Sequence, residues 1–298
     1  MAKSAEANQP PPRRHDQHSV YRRCSIEPIT TVYDIRSAIS GLGLSGQPVC
    51  LHASLRSLGK VDGGARSVVD AFLSERCTLL VPAFSWKYAV SAPNGRRIER
   101  NGRDDSVRAP AQQNATEGYD VGAAEIDSDM GAVASAVVRS HDRVRGNHPL
   151  CSFAAVGELA DPLVAEQQPL DAMAPMRQLA DANGSVLLMG VDLSSMTLLH
   201  WAEQLAGRSL FRRWALDANR HVVEVETGGC SDGFGNLETP IGGLAKEARV
   251  GSGLWRAFPA AEAARLASDA IRRDPAITHC ADTGCTRCND AVLGGPAL

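Results

Sequence analysis

Aromatic side chains are scarce in this chain: Phe, Trp and Tyr together make up 5% of its 298 residues. That is too few for the stacking platforms that hold single-stranded nucleic acid. An excess of positive charge is also missing. The formal net charge is −3, which leaves no basic field for a duplex. No apolar run approaches the ~18 consecutive residues of a membrane-spanning helix. Residues 1–19, MAKSAEANQPPPRRHDQHS, contain no apolar signal core, and the sequence predicts a disordered leader there. The expectation is a cytoplasmic protein with reduced thiols and no nucleic-acid or membrane partner. No internal repeat and no linker divides the chain.

What is present is a large apolar fraction, 44%, enough for one sizeable core. The patterning predicts an α/β domain over residues 20–278, followed by a Cys-rich tail over 279–298. Helical spacing runs over 30–42, 65–73, 131–138, 158–166 and 260–273. Short apolar strands are expected at 48–54, 77–84, 150–157 and 186–191. The β–loop–α–β order at 48–84 is the signature of a mostly parallel sheet. LFRRWAL and HVVEVET (210–216 and 221–227), joined by DANR, read as a β-hairpin embellishment. Residues 87–129 are polar and aperiodic. Their first part is basic, and their second is acidic, with Glu117, Asp120, Glu125, Asp127 and Asp129. A long loop of this kind is either a solvated excursion or a cover for a substrate, and its acidic part is expected to attract a polycationic one.

Residues 190–204, GVDLSSMTLLHWAEQ, carry the most chemistry. A strand runs into a small-residue turn, and a helix then presents His200 and Glu203 three positions apart, on one face. The carboxyl end of a strand is where open α/β sheets build their sites. An imidazole beside a carboxylate can take a proton near neutral pH. The same spacing also serves a solvated face or a capped structural pair. A second candidate is HASLRSLGKVDGG (52–64), a strand, a Gly-containing turn and the start of a helix. Backbone N–H groups there, with Ser54, Arg56, Ser57 and Lys60, suit an anion. They equally suit an ordinary βα turn. His148, in Asn-His-Pro, reads as structural or substrate-orienting rather than catalytic, and His52 as packing or backbone-bonding.

Several segments, in order, resemble the aminoglycoside 3-N-acetyltransferase family. They are LHASLRSLGKVDGGARSVVDAFL (51–73) with TLLVPAFSW (78–86); NHPLCSFAAVG (147–157); APM (174–176) with VLLMGVDLSSMTLLHWAEQLA (186–206); and GGCSDGF (228–234). The resemblance covers roughly residues 30–275. It implies a three-layer α/β/α architecture and acetyl-coenzyme A bound along Ser54, Leu55, Arg56, Ser57, Gly59, Val61, Gly63 and Gly64. It also implies His200 as general base with Glu203 beside it. The implied reaction moves an acetyl group to an amine of an aminoglycoside-like small molecule, with no covalent intermediate and no catalytic metal. An acyltransferase acting on a biosynthetic intermediate and a non-catalytic coenzyme A-binding protein are the alternatives, and a homodimer is compatible with all three. Two positions depart from the family. Ser135 stands in the helix GAVASAVV where a Glu is usual, and Ala174 stands in APM where Ser is usual.

The tail, HCADTGCTRCNDA (279–291), places Cys280, Cys285 and Cys288 close together beside His279. Three thiols at this spacing bind structural zinc if a fourth ligand, Cys230 or His279, reaches them. Iron–sulfur ligation and free surface thiols are the other readings.

Overall fold

The structure, a computed structural model, describes residues 29–102 and 117–298. The leader expected over 1–19 lies outside them. In chain order, α1 (Val32–Gly41) leads to β1 (Pro48–Ala53), α2 (Gly64–Ser74) and β2 (Thr78–Pro82). The short β3 (Ala89–Val90) precedes α3 (Gly131–Val138), β4 (Val144–Arg145) and β5 (Phe153–Val156). Next come α4 (Ala160–Val164), α5 (Ala174–Asp181), β6 (Ser185–Met189) and α6 (Leu198–Leu205). The remainder is β7 (Phe211–Leu216), β8 (Val222–Thr227), α7 (Glu238–Ile241), β9 (Lys246–Val250), β10 (Gly253–Pro259), α8 (Ala260–Arg273) and α9 (Thr286–Val292).

Seven strands form one mixed sheet in the order β4-β5-β2-β1-β6-β10-β9. Its centre is parallel. Cys50 of β1 stands opposite Leu80 of β2 on one side and Val186 of β6 on the other. Both flanks are antiparallel: β5 runs against β2, and β10 against β6. Connection length accounts for the parallel pairing of β1 with β2 and the antiparallel pairing of β9 with β10. The β1–α2–β2 crossover is long enough to return the chain in the same direction. The two residues between β9 and β10 can only reverse it.

Side chains alternate across β1. Val49 and Leu51 enter an apolar cluster with Ile35, Ile39, Val68, Phe72 and Val137 of α1, α2 and α3. Cys50 enters the opposite cluster with Met176, Leu199, Ala264 and Ile271 of α5, α6 and α8. Both faces of the central strand are buried, which is why its sequence is a continuous apolar run rather than an alternating one. Trp255 of β10, fully buried, stacks on Phe72 of α2 with ring centroids 6.3 Å apart.

β3, β7 and β8 form a separate antiparallel sheet, with Phe211 opposite Thr227 and Leu216 opposite Val222. Its inner side packs through Ala215 and Val225 on Tyr88, Tyr119 and Leu150. Among the described residues, no helix is long and apolar enough to cross a membrane.

Candidate active site

β6 delivers His200. After Met189 the chain turns sharply at Gly190, where φ is +66°. A Cβ there would lie 1.8 Å from the Ser57 hydroxyl, so the turn accepts glycine alone. Asp192 then caps the short turn Leu193–Ser195 by accepting from the Ser194 amide at 2.9 Å. α6 follows, with Leu198, Leu199 and Ala202 in the core. His200 and Glu203, on the same helix, lie at the edge of that buried surface.

The His200 Nδ1 meets Glu203 Oε2 at 2.8 Å. An ionised carboxylate only accepts, so Nδ1 carries the proton and Nε2 keeps its lone pair. Glu203 is held from behind. Arg208 donates to its Oε1 at 2.5 Å and to the Thr278 hydroxyl at 2.7 Å, and a second guanidinium nitrogen reaches the Pro275 carbonyl. His200, Glu203 and Arg208 are all buried. Such a chain of charge-assisted bonds in low dielectric fixes the imidazole in one orientation.

The imidazole borders a cleft of about 460 Å³ at the carboxyl ends of β1, β2 and β6, which Ala53, Pro82 and Val191 mark. Phe234 meets the ring edge-on, centroids 4.9 Å apart. The backbone of Gly228, just after β8, presses on the ring: a Cβ there would lie 2.6 Å from Nε2. The acidic and basic side chains at this cleft are His52, His200, Asp129, Arg213 and Arg287. Burial pushes His52 down to about 4, so it is neutral at pH 7.

The eight residues expected to hold the coenzyme lie on the adjoining loop, and none of them borders the His200 cleft. Ser54 donates its amide to the Met189 carbonyl at 2.9 Å, which ties the loop to β6. Leu55 packs on the α1–α3 side of the core. Arg56 and Gly59 are exposed. The Ser57 hydroxyl donates to the Ser54 carbonyl at 2.7 Å, and the Ser57 carbonyl accepts from Ser252 at 2.8 Å. Val61 bridges to Thr30. Gly63 and Gly64 have φ of +69° and +64°, and α2 begins there with no side-chain cap.

His148 is fully buried, and both of its ring nitrogens are engaged. Nδ1 accepts from the Leu150 and Cys151 amides at 3.2 and 2.9 Å, so Nε2 donates to the Glu226 carbonyl at 2.9 Å. Burial pushes it down to about 4. Through the Glu226 carbonyl it is tied to β8 two residues before Gly228. Ser135 borders a second concavity with Glu125, Asp127 and Arg139. Ala174 is fully buried.

The tail supplies a residue to which the sequence assigned no role. Arg287 reaches the cleft from α9, and no spacing in the chain announces it. The Sγ atoms of Cys230, Cys280, Cys285 and Cys288 lie within 4.8 Å of one another. His279 is turned to Asn289 and to the Cys280 carbonyl.

The chain is similar to known proteins. A family model described as aminoglycoside 3-N-acetyltransferase matches residues 50–272. Aminoglycoside N(3)-acetyltransferase IX of Micromonospora chalcea is 35% identical over 181 residues, which cover 58% of this chain and 61% of the relative. Aminoglycoside N(3)-acetyltransferase III of Serratia marcescens is 33% identical over 187 residues, 60% of this chain and 65% of the relative. The matched stretch is thus under two thirds of the length of these curated relatives. Among solved structures, the aminoglycoside acetyltransferase AAC(3)-IVa apoenzyme has a TM-score of 0.71 at 24% identity, over 90% of this chain and 99% of that one. AAC(3)-Xa has a TM-score of 0.65 at 27% identity, over 82% and 93%. The mixed α/β fold and the ordered motifs from β1 to α8 meet in one conclusion: the chain belongs to the aminoglycoside 3-N-acetyltransferase family.

Proposed function

We propose that this protein transfers an acetyl group from acetyl-coenzyme A to an amine of an aminoglycoside, and that it contributes in this way to antibiotic resistance. The observation that carries the reading is His200, with Nδ1 committed to Glu203 and its ring bordering a cleft. Bound coenzyme A supplies the acetyl group as a thioester, whose thiol leaves as the amide forms. His200 Nε2 takes the proton that the amine must lose as the C–N bond forms, and returns it to the departing thiolate. Glu203, held by Arg208, stabilises the transient imidazolium. No enzyme nucleophile is required, because the thioester is already activated.

The loop over residues 54–64 suits the coenzyme. Exposed Arg56 and Lys60 precede the start of α2, which has no side-chain cap, and a helix N-terminus favours a pyrophosphate. A solved neighbour of 20% identity, AAC-IIIb, is described as a binary complex with CoASH. AAC(3)-IVa is described in complexes with a gentamicin and with apramycin. The same reading takes residues 20–278 as a three-layer α/β/α acetyltransferase domain with β7 and β8 as an added hairpin, working in the cytoplasm. Light scattering tests whether it pairs as a homodimer. Zinc, where the tail thiols hold it, stands apart from the chemistry.

One observation favours a second acceptor class. Among the described residues, Asp129 is the only carboxylate at the cleft, against Arg213 and Arg287. An amine carrying fewer positive charges than an aminoglycoside fits that balance. The deciding experiment follows thiol release from acetyl-coenzyme A over a panel of aminoglycosides and simpler amines. Turnover is expected to fall about 10²–10⁴-fold in His200→Ala. Equal turnover in that variant would remove His200 as the base. Turnover with simple amines alone would select the second class.

A further inference from the structure

We infer that the chain holds one structural zinc ion through the thiolates of Cys230, Cys280, Cys285 and Cys288. The four Sγ atoms come from two distant stretches of sequence and converge within 4.8 Å of one another. Sulfurs bound at about 2.3 Å on the corners of a tetrahedron stand about 3.8 Å apart. Adjustments of about 1 Å therefore close the shell. All four cysteines are free of disulfide bonds.

The donor set selects the ion. Four thiolates suit zinc, whereas magnesium and calcium prefer oxygen. His279 is adjacent to Cys280 in sequence, yet its Nδ1 meets the Cys280 carbonyl at 2.8 Å and its Nε2 meets Asn289 at 3.0 Å. The shell is therefore all sulfur. An iron–sulfur cluster would set iron and sulfide between the thiolates and spread them apart, while this spacing encloses a single ion. Four protein ligands leave no position for water, so the ion is structural rather than a Lewis acid. Outside the cluster the thiols have only weak partners. The Cys280 amide points to Cys288 Sγ at 3.5 Å, and the Cys230 thiol lies 3.5 Å from the Asp232 carboxylate.

The position of the ion gives it a task. Cys230 belongs to the turn whose Gly228 backs the His200 ring and whose Phe234 meets it edge-on. Cys285 and Cys288 bracket Arg287, which reaches the same cleft. Zinc joins these two stretches, so it fastens the wall behind the base and sets where Arg287 stands.

The test uses the full chain purified without chelator. Elemental analysis is expected to return about one zinc per chain. X-ray absorption should show sulfur neighbours only, at about 2.3 Å. Cys280→Ser and Cys285→Ser should each lose most of the zinc and lower Tm, and a competing chelator should lower the Tm of the native chain in the same way. Substoichiometric metal, iron in place of zinc, nitrogen or oxygen neighbours, or two disulfides in the freshly purified protein would each overturn the site. Full zinc removal with an unchanged Tm would overturn the fastening role. Should a serine variant not fold, the absorption spectrum of the native protein still decides. None of these readouts depends on acetyl transfer.

Discussion

In the proposed reaction, what His200 can do at Nε2 depends on the other ring nitrogen. Nδ1 is committed to Glu203, so every group that places the ring acts on Nε2. Gly228 is the most sensitive of them. Gly228→Ala would bring a Cβ within 2.5 Å of the ring carbon Cδ2, and the imidazole must swing away. A misplacement of about 1 Å costs on the order of 10² in rate. Steady-state kinetics should show kcat falling by about that factor, with the KM for acetyl-coenzyme A unchanged because the loop lies elsewhere. His148 acts at one remove, through Glu226 and β8. Its folded pKa of about 4 lies below the unfolded value near 6.5. Above pH 6.5 it contributes no pH dependence. As pH falls from about 6.5 to about 4, the unfolded chain binds a proton that the folded one refuses, and stability is lost. Urea unfolding at pH 7 and pH 5 should show that loss in the native protein, and a smaller one in His148→Gln. An equal slope in the two proteins would assign the acid sensitivity to other groups.

At the scale of elements, the loop proposed to hold the coenzyme depends on its backbone more than on its side chains. Gly63 and Gly64 both have positive φ, but they differ in surroundings. A Cβ on Gly63 would lie 2.1 Å from the Ser67 hydroxyl, whereas nothing stands within 4 Å of one on Gly64. Gly64→Ala should therefore cost only the backbone strain of about 1–2 kcal/mol. Gly63→Ala should add the displacement of Ser67 and raise the KM for acetyl-coenzyme A further. Thermal unfolding and steady-state kinetics of the pair separate the two effects. Much at this scale was legible in the sequence. α3 and α8 lie where their helical spacing puts them, and α1 starts behind a Thr31–Asp34 capping box. β9 and β10 were not legible. KEARV is an exposed edge strand of polar residues, and GLWRAFP lacks strict alternation because Trp255 and Ala257 enter one side of the core and Phe258 the other, while Arg256, still paired in the sheet, turns its side chain to Glu238. With neither strand announced by its pattern, the antiparallel flank went unforeseen. The contact between His200 and Glu203 was legible because one helix holds both residues. Asp129, Arg213 and Arg287 were not, because only folding brings their segments together.

For the whole molecule, the question is where its negative charge is placed. The acidic stretch of residues 117–129 is not one field. Lys87 bonds Glu117 at 3.1 Å and lies 3.9 Å from Glu125. Asp127 accepts from the Trp86 amide. Of these acids Asp129 alone borders the cleft. Replacing both Glu117 and Glu125 by Gln should leave the acceptor KM nearly unchanged. Asp129→Asn should raise it about tenfold, the worth of one charged hydrogen bond, and should flatten its dependence on salt. The reverse ranking would restore long-range attraction as the means of capture.

The ribbon of β7 and β8 also offers a handle. Its connection at residues 218–221 is exposed, and at its other end β8 runs into Gly228 against the His200 ring. A foreign domain spliced into that connection would meet little resistance, since exposed loop tips tolerate insertion. If the guest changes shape when it binds its own signal, the strand transmits the movement as leverage on the imidazole. The fold thus offers a port through which the proposed acetylation could be made to answer to an outside input.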